Sequence, residues 1–147
     1  MTDQWLLASA LLIPFAAAVG IVLCGRWQNL REAVTLVSAA ALSLVLFEIY
    51  GRLGDGATLS LRLAEPLPGL AFGFHVEPLG MLFALVAGVL WLVTAVYSIG
   101  YMRGHHEKNQ TRFYAMFAVS IGCAMGAAFA GNLFTLFLWY EILTVST

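Results

Sequence analysis

Five apolar runs, separated by polar stretches, set the plan of the chain. The first covers about Trp5 to Cys24, the second about Ala33 to Tyr50, and the third about Pro78 to Ile99. A fourth covers about Phe113 to Ala130, and a fifth begins near Leu133. Runs of about twenty apolar residues match the hydrocarbon thickness of a bilayer, so each is predicted as a transmembrane helix. A span of that length starting at Leu133 would reach roughly residue 152, so the fifth helix is expected to be incomplete at Thr147. On this reading the 147 residues are a fragment of a longer subunit, or a short subunit whose last helix a partner completes or shelters.

The pattern changes once. Between the second and third runs, from about Gly51 to Glu77, apolar residues alternate instead of clustering. Leu59, Leu61 and Leu63 alternate with Ser60 and Arg62; Leu70, Phe72, Phe74 and Val76 alternate with Ala71, Gly73 and His75. "AEPLPG" (Ala64 to Gly69) separates the two. Period-two runs flanking a Pro/Gly turn predict a β-hairpin lying on the membrane surface. It is either a docking element for a neighbouring subunit or an extended loop folded over the chain's own helices. The expected fold class is therefore all-α integral membrane, with a short hairpin between helices 2 and 3.

Composition agrees. Of the residues, 61% are apolar and 10% charged, with mean hydropathy +0.88, against about 45–50% and about 25% in soluble domains. A net charge of −1 offers no electrostatic footprint for nucleic acid. Cys24 and Cys123 both fall inside apolar runs without metal-ligand spacing, which suits buried small residues. Met1 to Gln4 lack the basic start of a secretory leader, so the first run is read as a retained span.

Charge also sets the orientation. Arg26 and Arg31 lie between spans one and two, and Arg103, Lys108 and Arg112 between spans three and four; Arg52 and Arg62 fall on the opposite side. By the positive-inside rule the N-terminus is outside and the two basic connections are cytoplasmic. This predicts a multi-pass membrane protein with its N-terminus outside. In helix 4, Ala118, Gly122, Gly126 and Ala130 recur every four residues, a small-residue ridge that lets another helix approach closely.

Glu141 stands out among the polar residues. It lies nine positions beyond Asn132, the expected N-cap of helix 5 after a Gly131-Asn132 turn. At 1.5 Å per residue that is roughly 13 Å deep, near the middle of a layer about 30 Å thick. An ionised carboxylate there costs about 3 kcal/mol, so the group is either neutral or paired inside a bundle. Either state allows it to take and give a proton. The competing reading is a protonated packing residue, bonded to a neighbour's Tyr140 or to a backbone carbonyl. Thr135 and Thr144 could add hydroxyls to a hydrated lining, although threonines commonly bond their own helix. Thr144 and Tyr140 are the secondary site candidates beside Glu141, with Phe137, Trp139 and Tyr140 reading as packing rather than as a cofactor site. Glu77, before Pro78 at a helix start, sits beside the outer mouth and is a candidate for ion access. Glu48 reads as an interfacial carboxylate. His105-His106-Glu107 face solvent on this reading, and no third ligand is spaced to make a metal site. No cofactor is expected, because the chain holds no nucleotide fingerprint, no nucleophile–base pair and no cysteine cluster. Whether it belongs to an enzyme is left open.

"FGFHVEPLGMLFALVAGVLWLVTAVYSIGYMRG" (Phe72 to Gly104) and "NQTRFYAMFAVSIGCAMGAAFAGNLFTLFLWYEILTVST" (Asn109 to Thr147) carry a resemblance. Together they resemble the N-terminal part of the antiporter-like subunits shared by Mrp-type cation/proton antiporters, respiratory complex I and membrane-bound hydrogenases. The D subunit of the Mrp type is the nearest in look, and "GNLFTLF" followed by "YE" and "LT" is the most specific stretch. The resemblance implies a complete subunit of fourteen helices, with an outer hairpin and two inverted five-helix repeats. It makes residues 1–147 helices 1–5 only, without the second half of that fold. Glu141 matches the helix 5 glutamate that pairs with a lysine on helix 7 and takes part in proton transfer; that lysine would lie beyond Thr147. The implied function is a proton-translocating subunit of a multisubunit monovalent cation/proton antiporter. Its alternatives are a proton-pumping subunit of a complex I or hydrogenase type of respiratory complex, or a non-transporting structural subunit. The implied partners are other membrane subunits, the bilayer, protons and sodium.

Overall fold

The computed structural model describes residues 3–56, 58, 60–68, 70–106 and 108–147. Five helices and one hairpin follow in the expected order: α1 (Asp3–Leu23), α2 (Gln28–Gly54), β1 (Ser60–Leu67), β2 (Leu70–His75), α3 (Pro78–His105), α4 (Gln110–Ala128) and α5 (Leu133–Ser146). Among the described residues, α1, α2 and α3 are long and apolar enough to cross a membrane, against the five spans expected. α4 opens on Gln110, Thr111 and Arg112, which lowers its hydropathy, and α5 has 14 residues.

Local chemistry explains the boundaries. Pro78 occupies the first turn of α3, where its missing N–H leaves no helical bond unmade. The Asn132 side chain accepts a hydrogen bond from the Thr135 backbone N–H at 2.9 Å, so the predicted cap of α5 is present. α2 and α3 extend beyond their apolar runs, because Gln28 to Glu32 and Gly100 to His105 continue as helix. A polar segment that leaves the bilayer need not leave the helix. α4 ends at Ala128, two residues short of the predicted Ala130.

The hairpin is antiparallel, with Ser60 opposite His75, Leu61 opposite Phe74 and Arg62 opposite Gly73. β1 continues through Leu67, which pairs with Leu70, so four residues read as turn are strand. Pro66 is accommodated by irregular register between Ala64 and Leu67, as a residue lacking an N–H requires. Leu59 and Gly69, both part of the sequence pattern, lie outside the described residues, as do the side chains at 63–67 and 70–72.

α1 packs on α2 and α4, and α3 closes the group against α2 and α4. Leu7, Ile21, Leu42, Leu46, Trp91 and Phe129 are among the fully buried side chains between them. α5 lies on the outer flank of α4. The small-residue ridge is shared between two neighbours. A Cβ at Gly122 would meet the Phe15 ring of α1 at 2.8 Å, and one at Gly126 would collide with the Trp139 ring of α5. Ala130, beyond the end of α4, instead forms a β-bridge with Phe74.

Candidate functional site

Three contacts tie the hairpin to the turn before α5. His75 N–H donates to the Phe129 carbonyl at 2.8 Å, Gly131 N–H to the Gly73 carbonyl at 2.9 Å, and Gly73 N–H to Thr135 Oγ1 at 3.2 Å. The hairpin thus folds over the chain's own helices, one of its two expected roles. These bonds also fix where α5 starts, and so how far along it every later residue sits.

The rotation of α5 is set by its inner face. Thr135 is fully buried, and Trp139, one turn on, packs against Phe15 and Phe74 with ring centroids 5.8 and 6.1 Å apart. Ser146, farther along, meets Ser120 of α4 at 3.1 Å. Glu141 follows Trp139 by two positions, about 200° around the helix, and so lies on the opposite side. It is exposed in this chain, beside Phe137, Tyr140 and Val145, which are 59%, 61% and 85% exposed. The carboxylate thus sits on an apolar face of α5 that no other element covers among the described residues.

The secondary candidates are not gathered around it. Thr144 is exposed and donates its hydroxyl to the Tyr140 carbonyl at 3.0 Å, the local bond threonines commonly make in helices. Glu77 is the exposed residue preceding α3, without a side-chain cap bond. Glu48 is exposed and pairs with Arg52, one turn on in α2, at 3.2 Å. His105 and His106 are exposed, Glu107 lies outside the described residues, and no metal-ligand group occurs among those described.

At the opposite end of the bundle from the hairpin, the structure brings together a cluster of which only Arg31 and Arg103 were read from the sequence, as topology charges. Glu32 is 3% exposed and receives Arg103 Nε at 2.9 Å, with the Arg103 terminal nitrogen also on its carboxylate. The same arginine reaches Asn29 Oδ1 at 2.7 Å. Arg31, 6% exposed, donates to Gln110 Oε1 at 2.8 Å and Thr111 Oγ1 at 3.0 Å, and lies 5.5 Å from the Tyr114 ring centre. A signal for this was present. Glu32, Thr35, Ala39, Leu42 and Leu46 recur at three- and four-residue spacing, so the acid lies on the buried stripe of α2.

Residues 69–114 match a family described as the N-terminus of NADH-ubiquinone oxidoreductase (complex I) chain 5. A probable K+/H+ antiporter protein of the A/B type from Rhizobium meliloti is 28% identical over 145 residues, 95% of this chain and 14% of that protein. The A1 component of a Na+/H+ antiporter from Staphylococcus aureus is 27% identical over 79 residues, 54% of this chain and 10% of that protein. The fold recurs in a chain of the membrane-bound sulfane sulfur reductase, an archaeal respiratory membrane complex. There the TM-score is 0.74 and the identity 23%, over 93% of this chain and 21% of that one. The chain is a multi-pass membrane protein that resembles the N-terminal part of antiporter-like subunits. It spans only a small part of each relative's length. These two relatives are of the A type, within the antiporter-like group whose D type the motif resembles.

Proposed function

We propose that these residues form the N-terminal helices of a proton-translocating subunit in a multisubunit monovalent cation/proton antiporter. The observation that carries this is Glu141, an exposed acid on an apolar face of α5 that is uncovered among the described residues; counted from the start of α5, it would lie near mid-bilayer. Lipid contact would cost an ionised carboxylate about 3 kcal/mol or more. Protein outside these 147 residues therefore covers that face and supplies a cation or bound water to the acid. A carboxyl held in that way changes its protonation as the neighbouring charge moves, which couples one site to the next. The names of the relatives support protons and sodium or potassium as the ions carried. The bacterial sources of the relatives support a place in the bacterial plasma membrane, and the distribution of arginine and lysine supports an N-terminus outside.

A second reading is a proton-pumping subunit of a redox-driven complex, supported by the complex I family match and the respiratory fold neighbour. It gives Glu141 the same role and differs only in the energy source. A non-transporting brace is the third. Everted vesicles carrying the intact complex separate these. With Glu141→Gln, proton-coupled cation exchange is expected to fall to background while the complex still assembles. Exchange at the wild-type rate would establish the brace. Proton pumping driven by an added reductant, without cation exchange, would establish the redox-driven form.

A further inference from the structure

The cleft between the α1–α2 and α3–α4 connections has a volume of about 1010 Å³ and is lined by Arg26, Arg31, Arg103, Arg112 and His106. Only Arg103 has a carboxylate partner among the described residues. Arg31 is the unusual member: it is 6% exposed, all its acceptors are neutral, and its Nε is buried with no hydrogen-bond partner among the described residues. A buried cation without a counter-charge is costly unless an anion comes to it.

The backbone adds to the same deficit. α2 and α4 both begin at this cleft, and neither the Trp27 nor the Asn109 side chain caps its helix. Neither helix has an acid in its first turn. Two positive helix ends thus face a site already lined by arginine, an arrangement that attracts phosphate-type anions. The rim is not purely polar. Val22 and Met116 line the cleft while 62% and 40% exposed, and Leu23 and Trp27 beside it are 79% and 69% exposed. A free anion has no use for that apolar flank, whereas acyl chains do.

We infer that this cleft binds the phosphate headgroup of an anionic phospholipid, with the acyl chains running down the apolar flank beside Val22 and Met116. Such basic pockets between helix ends on the positive side of a membrane protein suit anionic lipid. This inference needs membrane insertion but not proton transport, so it stands or falls separately from the role of Glu141.

The test is native mass spectrometry and titration of the purified protein with cardiolipin, phosphatidylglycerol and phosphatidylcholine in mixed micelles. Cardiolipin or phosphatidylglycerol is expected to be retained in preference to phosphatidylcholine. Arg26→Gln with Arg112→Gln, both at exposed positions, is expected to weaken that retention about tenfold or more. Arg52→Gln with Arg62→Gln, at the other end, removes equal charge and is expected to leave it unchanged. Equal loss in both double variants, or no preference for anionic lipid, overturns the site. Displacement of lipid by millimolar inorganic phosphate would reassign it to a free anion. Loss of lipid binding when the other subunits are restored would show that protein, not lipid, fills the cleft.

Discussion

Glu32 and Glu141 are both acids on apolar helices, and the fold treats them in opposite ways. Glu32 is sealed against Arg103, while Glu141 is left bare on α5. Removing Arg103 strands the buried Glu32 carboxylate without its cation, a loss tempered by the arginine being half exposed. Arg103→Gln should therefore lower the melting temperature of the purified protein in detergent. Adding Glu32→Gln should recover part of that loss, since the stranded charge is then gone; simple additivity would show that the pair is not coupled. Asn132→Ala should cost about 1 kcal/mol through the lost cap, with Asn132→Asp close to wild type in the same melting assay. If alanine melts like asparagine, the cap does not set the start of α5.

At the scale of elements, helix existence was legible because twenty-residue apolar runs leave little choice in a bilayer. Helix ends were less so, since Gln28 to Glu32 and Gly100 to His105 are polar enough to read as loop yet continue a helix already nucleated. The extension of β1 through Pro66 was hidden for a different reason: an irregular two-stranded ribbon tolerates a proline that a regular ladder would reject. The helix 4 ridge was visible as a pattern, but which partner met which glycine was not. The structure makes that testable. Gly126→Ala places a methyl group against the Trp139 ring and should destabilise by about 1–3 kcal/mol. Trp139→Leu in the same chain should restore part of it, and unchanged stability in the single variant would remove the α4–α5 packing described here.

For the whole molecule, one end carries the hairpin and the other the basic connections, and the two should face opposite sides of the membrane. In a chain with Cys24 and Cys123 replaced by serine, Asn109→Cys should react with an impermeant maleimide in everted vesicles. Ser60→Cys should react in intact cells instead; labelling from the same side would refute the topology. The position of Glu141 along α5 could be counted from the sequence, whereas its face could not, because α5 is apolar nearly all round and has no polar side to orient it. The seating of Trp139 against Gly126 and Phe15, with Thr135 buried and Ser146 meeting Ser120, fixes that rotation.

The most direct measurement is carbodiimide labelling in native membranes, with the modified residue located by peptide mass spectrometry. A protonated carboxyl adds to the reagent, so a group held neutral at bilayer depth should react with a membrane-soluble carbodiimide and not with a water-soluble one. Glu141 is expected to carry the label from the lipid-soluble reagent alone, with less label as pH rises. Equal reaction with the water-soluble reagent, or none with either, would contradict a proton-exchanging acid within the membrane.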